Sequence, residues 1–196
     1  MVKSILGNKL VISAMLTAVL CVATGLIGLL ILSLSAGPPR NLGVRNGRLA
    51  ACPVSPNCVC TQAEDQEHWI APLNAAFQEP NPLQLLEEVV REMPRVTVVE
   101  SSNDYLRVEF RSLLFRFCDD VEFFHEVSSG RIHFRSASRV GYSDLGVNRQ
   151  RMEEIRARFL KRAPRAAEQQ GIHSPISTGR ALVAAVTHGE FGADAW

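Results

Sequence analysis

The sequence predicts an α+β fold: a two-layer sandwich in which an antiparallel meander sheet of four to five strands carries two helices on one face, preceded by an N-terminal transmembrane helix. Three observations lead there. Leu10 to Leu34 is a run of 25 residues without a charge. Between Arg95 and Val140 apolar and polar residues alternate with period two, as in strands with one buried face. On either side of those strands, apolar residues recur at the spacing of an amphipathic helix.

The apolar run comes first. As a helix it measures about 37 Å, enough to cross a hydrocarbon core of about 30 Å with some tilt. The apolar region of a cleaved signal peptide is shorter, about 7–15 residues, so the run reads as a retained anchor. Lys3 and Lys9 precede it, and Arg40, Arg45 and Arg48 follow it. Positive charge is therefore balanced across the span and leaves its orientation open. Residues 1–36 are the tail and anchor. Residues 37–51, rich in Gly, Pro and Arg, read as a linker.

The stretch CPVSPNCVC, Cys52 to Cys60, opens the folded domain, residues 52–163. Its spacing suits zinc poorly, since structural sites prefer paired Cys two to four apart. It lacks the Cys-x-x-Cys-His of a haem attachment. A Cys52–Cys58 disulfide requires only an oxidising compartment, and would place the domain outside the cytoplasm. No cofactor and no metal site is expected.

His68 to Leu73 reads as a short leading strand. Asn81 is a suitable N-cap with Pro82 at the first helical position, and Leu86, Val89, Val90 and Met93 form one stripe before Pro94 stops the helix. Four strands follow. RVTVVESS is short and β-branched. NDYLRVEFRS puts Leu106, Val108 and Phe110 on one face. LFRFCDDVEFFHEV does the same with Phe115, Phe117, Val121 and Phe123, and RIHFRSASRV with Ile132, Phe134 and Val140. The second helix is expected from Asn148 to Ala163, with Met152, Ile155 and Phe159 inward and Pro164 as its stop. Residues 164–196 read as a mostly disordered tail with a short helical stretch near Ala181–Val186.

Three segments carry a family resemblance: CPVSPNCVC, YLRVEFRSLLFRFCDDVEF and RIHFRSASRVGYSDLGVNRQRMEEIR. Together they resemble the family known as domain of unknown function 1499, over roughly Cys52 to Lys161. The chain departs from that pattern at Cys60, where Ser is usual, and at Cys118, where an aliphatic residue is commoner. The resemblance implies a membrane-linked or extracytoplasmic protein and no established activity.

The polar residues frame the functional question. The formal charge of +1 gives no reason to expect a nucleic-acid binder, which normally shows a strongly basic face. From Tyr105 to Arg162, twelve Arg or Lys stand against eight Asp or Glu. Asp119 has the parity of the core phenylalanines, and unpaired burial there would cost several kcal/mol. Cross-strand Arg–carboxylate pairs on an exposed sheet face account for most of the charges. A second arrangement gathers Arg135, Arg139, Asn148, Arg149, Arg151, Asp119, Asp120 and Ser138 where the Gly146 loop feeds a helix N-terminus, a place where backbone N–H groups receive anions. The first functional expectation is thus a membrane-tethered extracytoplasmic module, anchored through Leu10 to Leu34, that binds an anionic small molecule or a partner protein. A small hydrolase using the Asp119/Asp120 and Arg135/Arg139 region is the second. An apolar-ligand or lipid carrier is the third. No catalytic residue is assigned, because no Gly-x-Ser-x-Gly or Ser-x-x-Lys accompanies Ser136 or Ser138.

Overall fold

The computed structural model describes residues 2–75 and 81–170. Helix α1, Val2–Ser35, is followed by strands β1, Cys58–Cys60, and β2, Leu73–Asn74. Helix α2, Pro82–Arg91, leads into β3, Val96–Ser101, β4, Tyr105–Arg111, β5, Cys118–Glu126, and β6, Arg131–Ser138; helix α3, Val147–Gln170, ends the described chain. Within α1, Val11–Ser35 is long and apolar enough to cross a membrane.

The strands form one antiparallel sheet of six, ordered β1-β6-β5-β4-β3, with β2 also on β6. The order and pairing of the meander from β3 to β6 stand as expected, but β5 starts only at Cys118 and β6 ends at Ser138, so Phe115, Phe117 and Val140 lie half-exposed in the loops beyond the strands and do not join the core. The leading strand does not. Residues 68–72 form no strand, and two short segments, β1 and β2, share the free edge of β6 instead. They hold three and two residues, too few for an alternation to show.

Helices α2 and α3 cover one face of the sheet. Asn81 caps α2, its side chain accepting from Leu83 N at 3.0 Å. Leu86 and Val90 of α2, Met93 just past it, and Met152, Ile155 and Phe159 of α3 are buried in one core with Leu106, Val108, Val121, Phe123, Ile132 and Phe134. Fully burying one such side chain contributes about 1.5–3 kcal/mol, so this layer holds the fold together. Helix α3 continues past its expected stop at Pro164 to Gln170; proline supplies no N–H there, so the helix forgoes one backbone bond. The expected tail helix near Ala181–Val186 lies outside the described residues.

Residues 36–50 are not a free linker. The chain leaves α1, and Ala36 O accepts from Arg139 Nη1 at 3.4 Å. Gly43 N reaches Glu122 at 2.7 Å. Arg45 and Arg48 then pair across a tight turn in which Asn46 and Gly47 have φ of 52° and 71°. Leu49 is buried, and its N–H binds the Gln62 side chain. This lead-in lies across the sheet face that the helices leave open. The face expected to be wet is covered.

Candidate functional site

The covered face is built by strand register. Arg107 lies opposite Glu122, Glu122 opposite Arg135, and Glu109 opposite Asp120. Arg139, just past β6, places Nε and Nη2 on the two oxygens of Asp120, each at 2.8 Å, and Nη2 also on Glu109. This bidentate fork is the geometry arginine's planar guanidinium favours. Glu122 accepts from the Tyr105 hydroxyl at 2.8 Å and from Gly43 N, with Arg135 Nη1 at 3.5 Å. Asp120, Glu122 and Arg135 are 1%, 0% and 4% exposed. Arg107, Arg135 and Arg139 thus meet Glu109, Asp120 and Glu122 within the fold, and Arg111 adds a fourth guanidinium on Glu109. The Asp120 hydrogen bond raises the pKa of Arg139, and burial together with Glu122 raises that of Tyr105. Burial acts to raise Glu109, but Arg139 and Arg111 outweigh it and hold that carboxyl below its ordinary value.

A second constellation lies on the helix face. Asp119 does point inward, as its parity implied, and Arg151 of α3 meets it at 2.6 Å with the guanidinium stacked over Phe110, 4.7 Å from the ring centre. Arg151 also donates to Asn148 Oδ1 at 2.9 Å. Asn148 is buried and fully used. It accepts from Ser136 Oγ, donates through Nδ2 to Asn57 O and Ser138 Oγ, both at 3.0 Å, and gives its backbone N–H to Asp144 at 2.7 Å. Asp144 also takes the Gly146 amide at 3.0 Å. The anion received at the start of α3 is therefore a carboxylate of the chain itself, and it offsets the cations of the first turn.

The residues gathered by sequence reasoning are split by the sheet. Asp119, Ser138 and Asn148 are on the helix face; Asp120, Arg135 and Arg139 are on the covered face. Arg149 points elsewhere, donating to the carbonyls of Glu67 and Trp69 at 2.8 and 3.0 Å. Cys52 and Cys58 form a disulfide. The hydroxyls of Ser136 and Ser138 both engage Asn148, while His133 engages Thr61 and Glu126 from the other side of the sheet. Burial raises the thiol of Cys60 and pushes that of Cys118 up to about 12, so both are poor nucleophiles at neutral pH. Among the described residues, no three His, Cys, Asp or Glu side chains are placed to hold a metal ion.

One open cleft adjoins the second constellation. Its volume is about 470 Å³, and it is bounded by the end of α2, the end of β4 and the first half of α3. Arg95, Arg111, Arg151 and Arg158 line it, against Asp119 and Glu154. Three of these arginines hold carboxylate partners: Arg111 with Glu109, Arg151 with Asp119, and Arg158 with Glu154. Arg95 donates its Nε to Arg111 O at 3.1 Å, and among the described residues no ion pair engages it. Residues 48–159 match the family described as protein of unknown function (DUF1499). The chain belongs to that family. No curated protein and no solved structure matches this DUF1499 chain. Sequence reasoning missed Arg95 and Arg111 as a pair. Their only signal is that each stands at a strand end, and the β3–β4 pairing that joins them is invisible in one sequence.

Proposed function

We propose that this DUF1499 protein is a membrane-tethered extracytoplasmic binding module whose arginine-lined cleft takes the phosphate or carboxylate of a small anionic ligand. The observation that carries the reading is the cleft itself, where four arginines meet fewer acids and Arg95 brings a guanidinium with no carboxylate against it. The apolar stretch of α1 supports the tether. The Cys52–Cys58 bridge supports an oxidising compartment.

The test uses the full chain in non-ionic detergent. Inorganic phosphate replaces chloride at constant ionic strength while thermal unfolding is followed. At about ten times Kd, a bound anion adds about 1.4 kcal/mol of stability. Arg95→Asn retains a residue type that tolerates the φ of 58° at this position, and it should abolish most of the response. An equal response in this variant, or none in the wild type, rejects the cleft as an anion site. Alkylation without reductant should leave Cys52 and Cys58 unlabelled in cells; labelling of both would reject the compartment assignment.

A further inference from the structure

Among the described residues outside α1, six of the ten exposed large apolar residues lie at one end of the domain, while Trp69, Val99, Val127 and Leu160 lie elsewhere. Val54, Leu113, Leu114, Tyr142, Leu145 and Val147 are 95%, 77%, 75%, 75%, 94% and 45% exposed. All belong to segments that meet at one end of the sheet. Leu113 and Leu114 tip the β4–β5 loop, which springs from the Arg111–Cys118 pair. Tyr142 and Leu145 lie in the β6–α3 loop, whose first residue, Arg139, donates its N–H to Cys118 O. Val54 is in the loop that enters β1, where Cys58 faces Ala137. At the opposite end, the β5–β6 turn carries Val127 alone. Leu145 and Arg116 of these loops hold φ of 57°, a conformation uncommon outside glycine.

Helix α1 ends on the covered face, beside the guanidinium of Arg139, whose backbone belongs to this end of the sheet. Ser35 is the last helical residue, and Ala36 is already held by Arg139. No slack chain separates span from domain. From Val11 to Leu34 the helix is exposed along most of its length and Ser33 alone is buried, so α1 stands clear of the domain. A stretch of 25 residues reaches about 37 Å, against about 30 Å of hydrocarbon and about 40–45 Å including headgroups. The end of α1, and Arg139 at the start of the β6–α3 loop, then sit at headgroup depth.

We infer that the Leu113–Leu114 and Tyr142–Leu145 loops insert into the membrane interface beside α1, fixing the domain against the lipid surface. The inference rests on the tether reading. Lipid is the occupant because the span and the apolar tips leave the domain at one end. Tyr142 is of the type enriched at membrane interfaces, and exposed Arg116 between the apolar tips suits phosphate headgroups.

The full chain is reconstituted in vesicles of phosphatidylcholine and phosphatidylglycerol with acyl-chain bromines, in a background where Trp69 and Trp196 are replaced by Phe. Single reporters Leu20→Trp, Leu114→Trp, Leu145→Trp and Val127→Trp are compared. Leu114→Trp and Leu145→Trp should lose most of their emission alongside Leu20→Trp, while Val127→Trp keeps its own. If Leu20→Trp is quenched and the two loop reporters behave like Val127→Trp, the insertion is overturned and the tether stands. An unquenched Leu20→Trp overturns the tether and the insertion together.

Discussion

On one face of the sheet Val108, Val121, Phe123 and Phe134 are buried against α2 and α3; on the reverse, one residue further along the same strands, Asp120, Glu122 and Arg135 are buried as deeply. The first face is held by dispersion and the hydrophobic effect, which ask only for apolar volume. The second is held by paired charges, whose desolvation costs several kcal/mol per ion and has to be offset by a nearby opposite charge. A polar stripe on a strand is thus no guarantee of a wet surface. What decides is whether another segment covers it, and residues 36–50 do.

The largest effect that would break this comparison is Arg139→Ala. It removes the bidentate partner of buried Asp120, leaving only Arg107 at 3.7 Å, and one of the two arginines on Glu109, and should cost about 3–5 kcal/mol in denaturant unfolding. Phe123→Ala on the other face should cost a similar amount, about 3–5 kcal/mol, by leaving a cavity. Little loss in Arg139→Ala would mean its carboxylates were already hydrated. Removing the Cys52–Cys58 bridge by double substitution to Ala should cost about 2 kcal/mol, because the bridge closes only a short loop. Asn148→Ala, which leaves Asn57 O and two serine hydroxyls short of a partner, should cost about 1–3 kcal/mol without altering the covered face. The smallest effect is a pH dependence. The folded pKa of Glu109 is depressed, so its contribution is present above the unfolded value near 4.5 and is lost as pH falls through the lower folded value. Urea midpoints measured down that range should fall less steeply in Glu109→Gln than in the wild type.

The strands β4, β5 and β6 are legible in the sequence because seven to nine residues of alternation leave little choice of parity. Asn81-Pro82 and Pro94 likewise mark α2. The disulfide is legible from the spacing and composition of its loop. The covering of the polar face is not. Residues 37–51 have a linker's composition, with Leu42 and Leu49 as their main apolar anchors, and Asn46-Gly47 is the one local sign of a tight turn. The candidate site divides between two faces for a related reason. Arg139, Arg149 and Arg151 are near in sequence, but they go to Asp120, to the Glu67 and Trp69 carbonyls, and to Asp119, on different sides of the structure. Sequence proximity around a turn does not say which face each long side chain will take. Parity alone places Asp119 inward, while its partner on α3 depends on a helix–sheet docking that no local pattern encodes.

The direct test of the covered face is hydrogen exchange at Gly43, whose amide donates to the buried Glu122 carboxylate. Exchange in the full chain, read on the peptides spanning residues 40–46, should show Gly43 protected and released only on opening of the sheet face, with protection lost in Glu122→Ala. Exchange of Gly43 at the rate of an unstructured peptide in the wild type would contradict the account, because the lead-in would then be the free linker that its composition suggests.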